Sequence, residues 1–257
     1  MRLVTRDDRS EALDIAGRLE DAFAVADVIA GTDTEHPDLI IAIGGDGTVL
    51  EAAAGALELD VPVCGVNVGK VGYLAEFETN EIADLVDAVS SGRYIVEEHS
   101  VVDVESGGIS AVAVNDVVVE KVISQRIIQV SVSVNDRALA TYRTDGMIVA
   151  SPLGSTAYSL SAGGPVVDPS LDALILTPVA PHSLLTRPIV LAPDAVVTID
   201  VDVDRPARVN VDGKELCVVP PGGTVTVRRS ERTVKFLSLG RHPFPQAVRE
   251  HFGLDHA

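Results

Sequence analysis

Tryptophan is missing from the chain altogether, and the aromatic residues together supply only 4% of its 257 positions. Lysine is nearly as scarce. Lys70, Lys121, Lys214 and Lys235 are the whole set, against 38 acidic residues and a formal net charge of −18. Nucleic-acid surfaces are built from basic residues with aromatics interleaved for stacking, so this composition argues against such a partner. No apolar run approaches the roughly 18 residues of a membrane span. Met1-Arg2-Leu3-Val4-Thr5-Arg6-Asp7 also lacks the apolar core of a signal peptide, so the sequence predicts no membrane contact and a cytoplasmic location. Cysteine is limited to Cys64 and Cys217, far apart and each in an apolar, strand-like setting, which fits buried reduced thiols better than a disulfide or a metal site.

What remains is an apolar and acidic chain. Hydrophobic residues make up 46% of it, ample for the core of one large or two modest domains. Few lysines among many carboxylates suggest a halophilic protein that works in concentrated salt. An acidic protein of ordinary habitat is the plainer reading of the same composition.

The first part of the chain alternates helix and strand patterns. Residues 9–25 place Ala12, Leu13, Ile15, Ala16, Leu19, Ala22 and Phe23 near helical spacing. Val61-Pro62-Val63-Cys64-Gly65-Val66-Asn67 reads as a buried strand leading into the loop Val68-Gly69-Lys70-Val71-Gly72-Tyr73. Residues 80–91 carry the helical stripe Ile82, Leu85, Val86 and Val89 behind an Asn80 cap. Near Glu97 the character changes to short β-branched runs broken by glycine, proline and Asn-Asp pairs. Strands are expected at 101–104, 111–119, 127–134, 147–150, 196–203 and 225–227. The expected fold class is an α/β N-terminal domain with a parallel sheet over 1–96 and a mostly-β C-terminal domain over 97–240. A tail helix within 241–257 is expected to pack back on the first domain.

The stretch Asp38-Leu39-Ile40-Ile41-Ala42-Ile43-Gly44-Gly45-Asp46-Gly47-Thr48 organises the rest. Its unbroken apolar run reads as a buried parallel strand, and the glycines that follow let the backbone turn sharply and approach a ligand. From Thr48 onward the pattern is helical. Backbone amides at such a helix start form an anion-binding nest. There is no lysine-serine/threonine ending as in a Walker loop, and no dinucleotide glycine fingerprint. The single charge is Asp46. A carboxylate set among phosphate-seeking amides points to chemistry, as a proton acceptor or metal ligand; as a local cap it would be merely structural.

A second stretch, Arg143-Thr144-Asp145-Gly146-Met147-Ile148-Val149-Ala150-Ser151-Pro152-Leu153-Gly154-Ser155-Thr156-Ala157-Tyr158-Ser159-Leu160-Ser161-Ala162-Gly163-Gly164-Pro165, leaves the strand pattern after Ala150. Its run of small hydroxyl residues bounded by glycines offers donors without bulk, as expected for the lining of a polar ligand site or for a well-capped turn.

These two motifs, with Asn115-Asp116, Pro181-His182-Ser183-Leu184 and Arg187-Pro188, closely resemble the NAD kinase family over roughly residues 39–213. The glycine-aspartate turn alone also occurs in lipid kinases and phosphofructokinases; the combination is specific. The resemblance implies phosphorylation of the adenosine-ribose 2′-hydroxyl of NAD by ATP or polyphosphate with Mg²⁺ or another divalent metal. It also implies an active site between the two domains of a homo-oligomer, dimer or tetramer. By the same resemblance Asp46 is the general base, and Gly44, Gly45, Gly47 and Thr48 belong to the nucleotide-binding turn. Asn115 and Asp116 match the pair that grips NAD hydroxyls. Asp145, Thr156, Ala157, Tyr158 and Ser161 match NAD contacts, Ser159 and Leu160 lie in the same run, and Arg143 and Ala180 fall at further contact positions.

Departures from the family pattern are specific. Asp116 stands where glutamate is usual, one methylene shorter. The usual Thr-Pro-Thr-Gly reads Ser151-Pro152-Leu153-Gly154, so Leu153 cannot supply a hydroxyl to the phosphoryl donor. Lys214 stands where a neutral polar residue is common. His182, after a proline in a turn, reads as a structural hydrogen-bonder. Lys70 and Tyr73 lie on a loop after a strand, where ligands of α/β sheets gather, and Tyr73 either stacks on an adenine or covers a core edge. A lipid or other small-molecule kinase, or a non-catalytic NAD(P) sensor, are the alternatives. The first lacks an exposed apolar or basic membrane face, and the second has no use for Asp46.

Overall fold

The computed structural model describes residues 1–5, 10–26, 28–32, 35–69, 72–124, 126–241 and 243–254, apart from the side chain of His251. Lys70 and Arg9, read above as a loop cation and a helix start, lie outside the described residues. The chain divides into two compact units, one built from residues 1–98 and 234–257 and the other from 99–233.

The first unit begins with β1 (Arg2–Thr5), α1 (Ser10–Val25), β2 (Ile40–Gly44), α2 (Asp46–Leu59), β3 (Val63–Asn67), β4 (Phe77–Glu78) and α3 (Ile82–Ser91). Its strands are parallel, β2 lying between β1 and β3, with β4 pairing onto β3. Strands β2 and β3 are buried at every position, which is why their sequences run apolar without alternation. Helix α1 buries Ala12, Ile15, Ala16, Leu19 and Phe23 in a core with Ile41, Ile43, Cys64, Val66 and Leu85. Each large side chain in that stripe contributes about 2 kcal/mol of transfer free energy. Two helix starts differ from expectation. Helix α2 begins at Asp46 rather than Thr48, with Gly45 as its N-cap. Helix α3 is capped at Glu81 rather than Asn80, and the Glu81 carboxylate accepts the Glu78 N–H at 2.9 Å.

The second unit is almost wholly β. Strand β5 (Ile95–Ser106) carries the chain into it, followed by β6 (Ile109–Ala113), β7 (Asp116–Lys121), β8 (Ile128–Val134), β9 (Arg137–Thr144) and β10 (Gly146–Ala150). After a short 3-10 turn at Leu153–Thr156 come α4 (Tyr158–Ser161), β11 (Leu174–Val179), β12 (Ile189–Leu191) and β13 (Val196–Val201). The series ends with β14 (Ala207–Val211), β15 (Lys214–Val219) and β16 (Thr224–Ser238). One sheet has the order β12-β11-β10-β7-β14-β15. In the other, β16 pairs with β13, β13 with β8 and β8 with β9, while β5 pairs with β6 and β16. Between the sheets lies a shared core with Val117, Val119, Met147 and Leu176 from the first sheet and Val130, Tyr142, Val197 and Val225 from the second. On the outer face of the first sheet, Val118, Ile148, Ala150 and Ile175 pack against Ala162 and Val167. The segment around α4 is thereby set on that face. The single strand expected at 111–119 is two strands, β6 and β7, interrupted at Val114 and Asn115. The brief run at 225–227 lies at the start of a 15-residue strand.

Strand β16 returns the chain to the first unit, where Phe236 pairs in parallel with Val63 and Leu237 enters the core. The last element is α5 (Phe244–His251).

Candidate functional site

On the first unit the chemistry gathers at the carboxyl end of β2. The turn at Gly44 is too tight for a side chain, because a Cβ there would meet Thr48 Oγ1 at 2.5 Å. Thr48 is buried and forms the floor of the turn. Gly45 and Gly47 have open space where a Cβ would stand, so the backbone at those positions is approachable. The first N–H groups of α2 have no intrahelical acceptors, which makes this end of the helix attractive to anions. Asp46, at its first position, does not cap the helix. Its carboxylate turns to the segment after β3, accepting the Tyr73 N–H at 3.0 Å and the Leu74 N–H at 3.1 Å. The segment comes so close that a Cβ on Gly72 would lie 2.0 Å from Asp46 Oδ1. Tyr73 is only partly covered, and its hydroxyl pKa is raised, first by burial and then by the Asp46 charge. Beside the turn, Asn67 pairs in register with Gly44 and donates from Nδ2 to both oxygens of Glu78 at 3.0 and 3.1 Å.

On the second unit a second cluster surrounds the start of β7. Asp116 is buried, and Asp212 accepts the N–H groups of Val114, Asn115 and Asp116 at 2.8, 2.8 and 3.1 Å. That is why the strand breaks there. Three successive amides turned to one carboxylate are unavailable to a sheet ladder. Burial pushes the Asp116 carboxyl up to about 7, with the Asp212 charge adding to the rise and the backbone N–H of Tyr158 opposing it. Asp212 is itself raised by burial, against its three amide donors and Lys214. Asp145 pairs with Lys121 at 2.6 Å. Tyr158 is 42% exposed, and its hydroxyl is raised by burial and then by Glu120, Asp145 and Asp116, with Lys121 acting the other way.

The hydroxyl-rich stretch divides by direction. Ser151, Ser155 and Ser159 are fully buried. Ser151 Oγ donates to Val114 O at 2.7 Å, Ser155 Oγ bonds the Val167 backbone at 3.1 and 3.2 Å, and Ser159 Oγ pairs with Thr177 Oγ1 at 2.9 Å. These three hold the turn together instead of presenting donors outward. Thr156 is half-buried, its hydroxyl donating to Leu153 O at 3.4 Å, and Leu153, Ala157 and Leu160 are partly covered. Tyr158 and Ser161 face outward. Ala180 is exposed with a left-handed φ of 45°. Arg143 is exposed on β9 and lines a cavity of about 280 Å³ with Gln129, Asp202, Asp204 and Arg205. The Pro181-His182-Ser183 segment laces the end of β9, as the His182 N–H donates to Arg143 O at 2.7 Å and Ser183 Oγ accepts the Arg143 N–H at 3.0 Å.

Two family models match consecutive parts of the chain, the ATP-NAD kinase N-terminal domain at residues 3–94 and the ATP-NAD kinase C-terminal domain at residues 114–239. The chain belongs to the NAD kinase family. An NAD kinase of Heliobacterium modesticaldum is 37% identical over 272 residues, covering 96% of each chain. One of Cupriavidus pinatubonensis is 42% identical over 205 residues, covering 78% of this chain and 67% of its own. Among solved structures, an NAD kinase from Archaeoglobus fulgidus in complex with ATP is 28% identical, with a TM-score of 0.80 over 98% of each chain. Yeast NADH kinase complexed with NADH shares the fold at 21% identity, with a TM-score of 0.86 over all of this chain and 88% of its own.

Both NAD kinase motif clusters contain residues that sequence reasoning passed over. Gly72 and Leu74 fix the Asp46 carboxylate, yet Gly72 is one of several loop glycines and Leu74 acts through its backbone. Asp212 and Lys121 drew no reading from the sequence, and Ser151 and Gly154 were read within the hydroxyl-rich stretch without their part in holding Asn115. A Cβ on Gly154 would lie 2.1 Å from Asn115 O, so this glycine is required by close approach. Among the described residues no group of three or more His, Cys, Asp or Glu side chains is placed to hold a metal ion.

Proposed function

We propose that this chain transfers the terminal phosphoryl group of ATP to the 2′-hydroxyl of the adenosine ribose of NAD, giving NADP and ADP. The observation that carries this reading is the setting of Asp46, a partly exposed carboxylate at the first position of α2, beside an approachable glycine backbone and oriented by two N–H donors. In that role Asp46 takes the proton of the 2′-hydroxyl as its oxygen bonds to the terminal phosphorus and the bond to ADP breaks. The amides at the start of α2 hold donor phosphate, and Asn115, Asp116, Asp145 and Tyr158 hold NAD. Mg²⁺ would be held mainly through the donor phosphates, as is usual for this ion beside a nucleotide. When bound it neutralises charge on the transferring group. We place the protein in the cytoplasm, as a homo-oligomer adapted to high salt.

Purified protein incubated with NAD, ATP and Mg²⁺ is expected to form NADP, scored with an NADP-specific dehydrogenase. Replacing ATP by polyphosphate, and NAD by NADH, defines donor and acceptor. Asp46→Asn keeps size and hydrogen bonding while removing basicity, and its turnover is expected to fall by roughly 10²-fold or more. Near-normal turnover of that variant with an intact fold would remove Asp46 from the chemistry.

A further inference from the structure

The backbone of residues 114–116 is held by two side residues alone. Asp212 accepts all three N–H groups and returns its own N–H to Asp116 O at 3.0 Å. Ser151 donates from Oγ to Val114 O at 2.7 Å and from its N–H to Asn115 O at 2.9 Å. Every backbone polar group of the three residues is therefore satisfied, with Gly154 pressed against the Asn115 carbonyl. What is left unsatisfied is a side chain, because Asn115 Oδ1 is buried without a hydrogen-bond partner. Asp212 can make this contact because it sits in the left-handed region, φ 48°, ahead of Gly213 at φ 76°, in the tight turn from β14 to β15.

We propose that Asp212 is a positioning residue for NAD, its carboxylate fixing the backbone that presents Asn115 and Asp116 and its negative charge setting the form in which Asp116 meets the substrate. The inference rests on the reading above that Asn115 and Asp116 bind NAD. The groups around Asp116 divide by element: Asp212 and Lys214 on the β14–β15 turn, Tyr158 on α4, Glu120 and Lys121 further along β7, and Asp145 ahead of β10. Burial holds the Asp116 carboxyl at about 7, and Asp212 is the charge that adds to that rise. Ribose hydroxyls are strongest as donors to an ionised carboxylate, so NAD binds best when Asp116 has lost its proton. Asp212 thus acts in two opposed ways. It builds the binding turn, and its charge adds to the burial that moves the ionisation on which binding depends into the neutral range.

The test is NAD affinity by calorimetry from pH 5.5 to 9, with NAD KM and kcat at each pH. In the unaltered protein affinity is expected to fall about tenfold from its high-pH plateau by pH 6, where a group with midpoint near 7 is about one tenth ionised. Asp212→Asn removes the charge and keeps the shape, so the break moves to lower pH and the loss at pH 6 becomes smaller than the parent's. Its NAD KM rises while kcat at saturating NAD stays within about twofold. Asp212→Glu keeps the charge and displaces the clamp, so it weakens NAD binding with the break near its original pH. It also serves should the asparagine variant fail to fold. A break unmoved in Asp212→Asn, or lost in Asp212→Glu, overturns the proposal. Asp116→Asn separates the two levels of inference. If it leaves NAD affinity and its pH profile unchanged, Asp116 does not bind NAD; if it flattens the profile while Asp212→Asn moves nothing, only the role of Asp212 fails.

Discussion

If Asp46 is the proton acceptor proposed above, replacing Gly72 by alanine should disable it without altering that residue itself. The added Cβ would stand 2.0 Å from Asp46 Oδ1 and 2.6 Å from its Cγ, whereas ordinary contact begins near 3.4 Å. The Asp46 side chain therefore has to retreat by more than about 1 Å, or the Gly72 segment has to lift away by as much. Either movement stretches the hydrogen bonds from Tyr73 and Leu74, now 3.0 and 3.1 Å, beyond useful length. Displacement of a reacting group by about 1 Å costs on the order of 10²-fold in rate, and kcat at saturating NAD and ATP should fall by that order. Stability should fall less. Hydrogen bonds to a charged group are worth about 1.5–3 kcal/mol each, and donors in a partly exposed segment recover much of that from water. The control is Gly55→Ala in α2, where a Cβ meets nothing within 4 Å. It should leave kcat unchanged and stabilise the helix by about 0.5–1 kcal/mol. A Gly72→Ala enzyme with kcat within threefold of the parent would refute the claim that the position of this carboxylate governs turnover.

Three further outcomes follow from other sites. Asp116 rises from 3.8 unfolded to about 7 folded, so the folded chain holds its proton more tightly and stability should decline as pH rises through that window. Asp116→Asn, which cannot ionise, should then be the more stable protein at pH 8 by a ceiling of about 4 kcal/mol in urea unfolding and lose that advantage near pH 4; an advantage equal at both pH values would count against the burial argument. With a net charge of −18, self-repulsion opposes the compact state, and salt near 1 M shortens the Debye length to about 3 Å. The melting temperature should climb from low salt to about 2 M KCl with activity retained, and a flat or falling curve with activity lost would leave the acidity without that role. If a hydroxyl at position 153 aids the phosphoryl donor, Leu153→Thr should lower the apparent KM for ATP more than that for NAD; no change in either would show the departure to be neutral.

The parallel strands β2 and β3 were legible because burial on both faces writes itself as an unbroken apolar run. The helix stripes were legible because α1 and α3 each bury one face. The strand endings were less so. In residues 111–119 the Asn115-Asp116 pair was the one sign of a break and was read inside a strand, and the group that holds the break open is a carboxylate nearly a hundred residues later in the chain. The same holds for the clusters. Asp46 announced itself as a lone charge in a glycine turn, but the Gly72 segment that orients it acts through backbone atoms, which composition does not record. Ser151, Ser155 and Ser159 were read as part of a surface of donors, whereas each is buried and bonded inward. A hydroxyl looks alike in sequence whether it serves a ligand or a neighbouring carbonyl.

The path of β5 and β16 bears on how the protein can be synthesised. The second unit is one uninterrupted segment, residues 99–233, inserted into the first, which is not complete until residues 234–257 have been added. Among those late residues Phe236 pairs with Val63, Leu237 fills the core, the Leu239 N–H donates to Glu76 at 2.7 Å, and Arg241 reaches Glu81 and Asp84 at 3.1 and 3.0 Å. As the chain leaves the ribosome, the unit that is second in sequence can close first. The glycine-aspartate turn, although translated early, waits on a sheet still missing its last strand. A nascent chain halted before Val234 would hold an exposed edge on β3 at Val63, so a segment translated late protects strands translated well before it.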